Sequence, residues 1–299
     1  MIKKKRKLHW SENVVLGELT TFKIGGPTRY YFRAETEEDL IEALRQAREG
    51  DLPVFILGSG SNILVSDQGY PGAVIQLANR FFRFSGQEME VGAGVALNWL
   101  VTEAARLGVG GLECETAVPG TVGGAVYGNA GTPDHHIGQL VKEVYFINRK
   151  SLEPGCYSAK QCQFDYRQSV FKEDQDKVIT SIVLTGQPEK REVIWERMHD
   201  LARRKAASQP RFYPSAGCVF KNPPGHSAGA LIDQAGLKGH RIGQAQISEQ
   251  HANFIINLGR AKSRDVLALI DLIKEQVNKQ FKVELVEEII ILPEQDKGS

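Results

Sequence analysis

Three groups of side chains in this chain have the types and neighbours that proton or anion chemistry requires. Cys218 lies in Ser215-Ala-Gly-Cys-Val-Phe-Lys-Asn222, where small residues lead up to a thiol and a cation and an amide follow it. It reads either as a working thiol or as a buried free cysteine acting as a small hydrophobe. Arg167 stands among apolar and aromatic neighbours in Phe164-Asp-Tyr-Arg-Gln-Ser-Val-Phe171. A guanidinium there needs an anionic partner, which is either a carboxylate of the fold or one on a substrate. Glu287 and Glu288 fall between apolar residues of the last extended segment, Val283 to Leu292. Period-two alternation puts them on opposite faces, so one faces inward if the strand is covered on both sides. An inward carboxylate has a raised pKa and can carry a proton.

The backbone offers a second kind of chemistry. Glycine supplies 30 of 299 residues, about a tenth, against roughly 7% in an average protein. Much of the excess lies in Gly58-Ser-Gly-Ser-Asn62 and in the stretch from Gly110 to Gly131, which holds Pro119-Gly-Thr-Val-Gly-Gly124 and Tyr127-Gly-Asn-Ala-Gly131. The first loop is either a tight turn or a concavity of N–H groups for a phosphate. It is neither G-x-G-x-x-G opening a helix nor a Walker loop. Two such loops in neighbouring segments suit a dinucleotide-like ligand with two phosphates.

Charge and composition exclude other classes. With 37 Lys and Arg against 36 Asp and Glu the formal charge is +1, so no basic field gathers nucleic acid. The basic run Lys3 to Lys7 reads as a solvated terminus, with anionic contacts as the alternative. The seven histidines have no metal-ligand spacing, and Cys114, Cys156, Cys162 and Cys218 form no CxxC pair. No metal is expected. Without an N-terminal apolar stretch or an apolar run of about 20 residues, a cytoplasmic chain with free thiols and no membrane insertion is expected.

The elements that must place these groups follow from pattern. Thr36 and Asp39 form a capping pair ahead of a helix that Gly50 and Pro53 stop, and Val54–Leu57 follows as a buried strand leading into the first glycine loop. A helix from Leu97 to Leu107 ends at Gly108 in a left-handed cap, and Val141–Asn148 and Val178–Leu184 read as strands. Glu189–Ser208 reads as an amphipathic helix, Ser227 and Gly236 bracket another, Asn253–Asn257 reads as a strand, and Ser263 caps the last long helix. Two or three domains are expected.

Seven motifs in order then resemble the UDP-N-acetylenolpyruvoylglucosamine reductase (MurB) family. They are Thr20-Thr-Phe-Lys-Ile-Gly-Gly-Pro27, Gly58-Ser-Gly-Ser-Asn-Ile-Leu64, Val118-Pro-Gly-Thr-Val-Gly-Gly-Ala125, Asp165-Tyr-Arg-Gln-Ser-Val-Phe171, Ser215-Ala-Gly-Cys-Val-Phe-Lys-Asn-Pro223, Leu231-Ile-Asp-Gln-Ala-Gly236 and His251-Ala-Asn-Phe254. The absence of a tyrosine-bearing insertion after Phe171 resembles the shorter, second type of the family.

The resemblance implies an α+β chain: a two-subdomain FAD-binding domain of the vanillyl-alcohol-oxidase (VAO/PCMH) type plus an α+β substrate-binding domain. Boundaries are expected at 1–80 and 81–188 for the two FAD subdomains and 189–284 for the substrate domain, with 285–299 as a C-terminal strand and tail bearing the catalytic glutamate. It implies that FAD, reduced by NADPH, passes hydride to UDP-N-acetylglucosamine enolpyruvate to give UDP-N-acetylmuramate, in peptidoglycan precursor synthesis. The family's arginine matches Arg167, its proton donor Cys218 (often serine) and its C-terminal glutamate Glu288. Arg167 with Glu288 would stabilise an enolate-like state and Cys218 would protonate the carbon; a thiol of reference pKa about 8.5 is mostly neutral at pH 7. Ile290 stands where many members have arginine, which loosens the register of Glu288 against Glu287.

The same carry-over gives Gly58, Ser59, Gly60, Ser61, Asn62, Pro119, Gly120, Thr121, Gly123 and Gly124 to the FAD pyrophosphate. It gives Tyr127, Lys221, Asn222, Gln234 and His251 to the substrate. The first loop has no histidine, so the flavin is expected to be untethered, and a monomer is expected. The rival readings are another flavin oxidoreductase of the superfamily acting on a different substrate, and a non-catalytic flavin- or nucleotide-binding protein.

Overall fold

The computed structural model describes residues 8–132 and 134–293; the basic run Lys3 to Lys7 lies outside them. Its contacts divide the chain into two units. One takes in the chain up to Glu12, Tyr30–Ser59 and Gly72–Arg203, and the other takes in Asn13–Arg29, Gly60–Pro71 and the chain from Arg204 onward. The chain thus passes from one unit to the other inside the first glycine loop, between Ser59 and Gly60.

In the first unit the helix Glu37–Glu49 starts at Thr36, whose hydroxyl accepts from Asp39 N at 3.1 Å while Asp39 Oδ2 accepts from Thr36 N at 3.2 Å. That reciprocal pair satisfies two of the donors a helix start leaves open. Leu40, Ala43 and Leu44 on its inner face are buried with Ile75 and Ile147. Val54–Leu57 pairs in parallel with Tyr70–Leu77, Val54 opposite Ala73 and Leu57 opposite Gln76, and delivers the chain into the glycine loop.

The unit's second sheet is antiparallel, in the order Pro154–Ser158, Val141–Asn148, Lys177–Thr185, Glu88–Gly92, Phe82–Ser85. Its core contains Met89, Val91, Val144, Ile182 and Leu184, covered by Leu97, Leu100, Val101 and Ala104 of the helix Leu97–Leu107. Gly108 ends that helix at φ +74°. Pro154–Ser158 has no apolar run to announce it. It is an edge strand opening on proline, held by its pairing with Val141–Asn148 and by Tyr157, which packs against Phe146 and Phe171.

The second unit is an antiparallel sheet in the order Ser215–Cys218, Phe254–Asn257, Ala245–Ile247, Arg241–Ile242, together with the helices Ala228–Gln234 and Ser263–Phe281. Phe22, Ile24, Phe220, Ile255, Val266, Ile270 and Ile273 form its core. Ser227 caps the shorter helix by accepting from Ala230 N at 3.3 Å.

Two expectations are corrected here. Ser263 is the first residue of the long helix and not its cap; its hydroxyl accepts from Asp67 N at 2.9 Å, and Asp265 Oδ2 receives the N–H of Lys262 at 3.1 Å. Val283–Leu292 is not one strand. Only Ile290–Leu292 is regular, parallel to Ile63–Val65, with an isolated bridge between Glu287 and Phe220. Leu285, Ile289 and Leu292 are the buried residues there, and the step of three from Ile289 to Leu292 is at odds with strict alternation.

Candidate active site

Both glycine loops contribute to the first unit. A methyl added at Gly58 would lie 2.7 Å from Thr121 Oγ1, so the loops touch where a side chain would part them. Thr121 is held in place, because its hydroxyl accepts from Gly124 N at 3.2 Å and caps the short helix Val122–Tyr127. Gly58 O is held by the side chain of Gln76 at 3.0 Å. Ser59 Oγ is shielded from solvent and bonds to no described residue. A polar group buried without a partner costs stability, which suits a site completed by a polar ligand. The cradle contains no carboxylate, so its chemistry fits an anionic pyrophosphate. Gly123 has a different reason to be glycine: its added methyl would lie 2.7 Å from Ala93 Cβ, which makes it a packing position.

Arg167 occupies a four-residue turn in which Asp165 N donates to Gln168 O at 3.2 Å and Gln168 N to Asp165 O at 3.0 Å. Its φ is +55°, at the turn's third residue, where glycine or asparagine is usual. That conformation costs about 1–2 kcal/mol for a residue with a Cβ and persists only where the surroundings impose it. They do so through the second glycine loop. Buried Asn129 donates from Nδ2 to Asp165 O at 2.8 Å and accepts at Oδ1 from Gly138 N at 3.0 Å, and buried Ser169 donates to Tyr127 O at 2.7 Å. The half-buried guanidinium lies 5.8 Å from the Tyr166 ring centre.

In the second unit Gly60 has φ +64°, and a methyl there would lie 2.6 Å from Leu19 O. Thr21 joins this loop to the thiol strand: its N–H donates to Gly60 O at 3.1 Å and its hydroxyl to Ser215 O at 2.8 Å. Cys218 is half-buried at the end of its strand, opposite Phe254, after a register shift that includes Gly217 at φ +80°. Glu288 N donates to Val219 O at 2.7 Å, and Glu288 O accepts from Asn62 Nδ2 at 3.2 Å. Glu288 is therefore fixed from both sides, by the thiol strand and by the first glycine loop. Glu287 Oε1 pairs with Lys274 Nζ at 2.8 Å.

The remaining candidates are placed as follows. Lys221 is half-buried, its N–H donating to Val286 O at 2.9 Å. Exposed Asn222 turns Oδ1 to Ala228 N at 3.0 Å, Gln234 is exposed at its helix end, and Tyr127 packs on the first unit's core. His251 accepts from Asn253 N at Nδ1, 3.2 Å away, which puts the proton of the neutral ring on Nε2. Burial pushes its pKa below the usual histidine value. Asn129, Ser169, Thr21 and Asn253 brace the segments that carry these candidates, and residue type alone did not single them out. Their signal was present, since a polar residue inside an apolar or glycine-rich motif must find a partner.

Residues 209–292 match the family model described as UDP-N-acetylenolpyruvoylglucosamine reductase, C-terminal domain, and residues 28–150 match that of an FAD binding domain. UDP-N-acetylenolpyruvoylglucosamine reductase 2 of Symbiobacterium thermophilum is 43% identical over 278 residues, covering 91% of this chain and 88% of that relative. The corresponding reductase of Carboxydothermus hydrogenoformans is 39% identical over 95% of this chain and 94% of its own. The crystal structure of the reductase from Thermus caldophilus superposes with a TM-score of 0.82 at 38% identity, covering 95% of this chain and all of that one.

Proposed function

This chain belongs to the UDP-N-acetylenolpyruvoylglucosamine reductase family, and from that premise we propose which of its residues perform the family's reaction. The protein is an FAD-containing, NADPH-dependent oxidoreductase that reduces UDP-N-acetylglucosamine enolpyruvate to UDP-N-acetylmuramate for peptidoglycan synthesis. FAD, when bound, supplies the hydride that NADPH provides. Gly58, Ser59 and Thr121 would hold its phosphates, with Gly60, Ser61, Asn62, Pro119, Gly120 and Gly124 shaping the loops and Gly123 packing them.

Hydride addition to an enol ether bearing a carboxylate places negative charge on the neighbouring carbon and its carboxylate. Arg167 receives that carboxylate with its two-pronged fork. Its turn is already held by Asn129 and Ser169, so the backbone that carries the guanidinium need not be ordered during the reaction, a contribution to preorganised charge. Glu288 holds a proton beside the developing charge. Cys218 gives its S–H proton to the carbon and recovers one from solvent, so the double bond becomes a single bond carrying one hydride and one proton. Lys221, Asn222, Tyr127, Gln234 and His251 contact the substrate, with Lys221 suited to its phosphates. The chain works as a cytoplasmic monomer.

The observation that carries the role of Glu288 is its backbone bond to Val219, the residue after Cys218, while Glu287 is engaged by Lys274. Single-turnover reoxidation of reduced enzyme by substrate tests it. Glu288→Gln should slow that step on the order of 100-fold or more, within the range of general acid–base contributions, and Glu287→Gln should not. The reverse order would reassign the role.

A further inference from the structure

We propose that Asn253 is a positioning residue for proton delivery, its carboxamide fixing the chain that carries Cys218 and, through it, the segment that carries Glu288. This rests on the proton-handling roles given above to those two residues. The regular ladder of the thiol strand ends at the pair Cys218 and Phe254. Beyond it, Asn253 supplies the next rungs itself. Its backbone O accepts from Val219 N at 2.8 Å, its Oδ1 accepts from Phe220 N at 2.9 Å, and its Nδ2 donates to Phe220 O at 2.8 Å.

Asn253 is 4% exposed, so these bonds do not compete with water. A carboxamide presents one acceptor and donors on a short stem, as a peptide group does; Asp lacks the donor and Ala has neither group. The other edge of the same three residues holds the C-terminal segment: Val219 O accepts from Glu288 N and Lys221 N donates to Val286 O. Val219 to Lys221 is thus a rail with Asn253 on one side and Glu288 on the other. Loosening one buried amide displaces both the thiol and the carboxyl group, and proton transfer is sensitive to shifts of about 1 Å.

The test uses FAD-loaded enzyme, rates normalised to bound flavin, and anaerobic stopped-flow absorbance for wild type, Asn253→Ala, Asn253→Asp and Cys218→Ala. Asn253→Asp keeps the shape and the acceptor for Phe220 N–H, so it provides a second variant should the alanine form fold poorly. Flavin reduction by NADPH should stay within about twofold of wild type, whereas reoxidation by saturating UDP-N-acetylglucosamine enolpyruvate should slow on the order of 100-fold. A merely structural role lowers the melting temperature without producing this split. Equal slowing of both half-reactions, or wild-type reoxidation in either loaded Asn253 variant while Cys218→Ala is slow, overturns the inference alone. Wild-type reoxidation in Cys218→Ala overturns the underlying reading and the inference with it.

Discussion

Replacing Gly58 by alanine tests whether the two glycine loops share one ligand. The new methyl would stand 2.7 Å from Thr121 Oγ1 and 3.6 Å from Thr121 Cγ2, well inside van der Waals contact for the oxygen. Thr121 cannot turn away freely, because its hydroxyl holds Gly124 N and starts the helix Val122–Tyr127. Relief must come from parting the loops, and overpacking of this kind costs about 1–3 kcal/mol. If the FAD pyrophosphate is held by both loops, that strain appears as lost affinity; at 1.4 kcal/mol per tenfold it is about 5- to 150-fold in Kd. Titrating deflavinated protein with FAD and following flavin fluorescence measures it. Thr121→Ala removes the offending oxygen and loses the cap, worth about 1 kcal/mol. In the double variant the Gly58→Ala penalty should largely disappear, giving a coupling of about 1 kcal/mol or more. FAD binding within twofold of wild type in Gly58→Ala, or simple additivity of the two changes, would refute the shared cradle.

Arg167→Lys should lose most of kcat, because a point charge cannot replace a two-pronged fork on a carboxylate; unchanged kcat in steady-state assays would count against the assignment. Breaking the partly exposed Lys274–Glu287 pair with Lys274→Met should cost no more than about 1 kcal/mol in chemical denaturation and leave turnover close to wild type. A turnover collapse there would place Glu287 in the chemistry. Burial lowers the pKa of His251 and, opposed by Asp165, that of His136. The unfolded chain takes up protons below about pH 6.5 while these folded rings stay neutral, so their stability contribution is full above that pH and is lost as pH falls. The melting temperature should therefore drop between pH 7 and pH 5, and less steeply in His251→Gln; an identical slope in that variant would contradict the sign.

Much of the fold was legible because its signals are local. The Thr36–Asp39 capping pair, the left-handed Gly108 and the Ser227 cap each satisfy or relax backbone groups within a few residues, so sequence alone places them. Gly58 and Gly123 illustrate the limit. Both read as loop glycines, yet one faces Thr121 of the other loop and the other packs on Ala93, a distinction set by residues distant in sequence. The C-terminal segment read as one strand because Ile289, Ile290, Ile291 and Leu292 favour extended backbone, but only Ile63–Val65 pairs with it regularly. The proposed choice of Glu288 over Glu287 likewise rests on Lys274, thirteen residues before Glu287, and on Val219, nearly seventy residues before Glu288. Arg167 stood out in the sequence as a guanidinium among apolar and aromatic neighbours. Its left-handed backbone, imposed by Asn129 and Ser169, was not legible there, because those supports act through tertiary hydrogen bonds.

As a member of its family this chain reduces an enolpyruvyl sugar nucleotide, and Cys218 is its proposed proton donor. The decisive measurement of that role is anaerobic stopped-flow absorbance of the bound flavin in Cys218→Ala, first with NADPH and then with UDP-N-acetylglucosamine enolpyruvate. NADPH should bleach the flavin at the wild-type rate and the substrate should reoxidise it little, with Cys218→Ser retaining appreciable reoxidation. Wild-type reoxidation in Cys218→Ala would contradict that role.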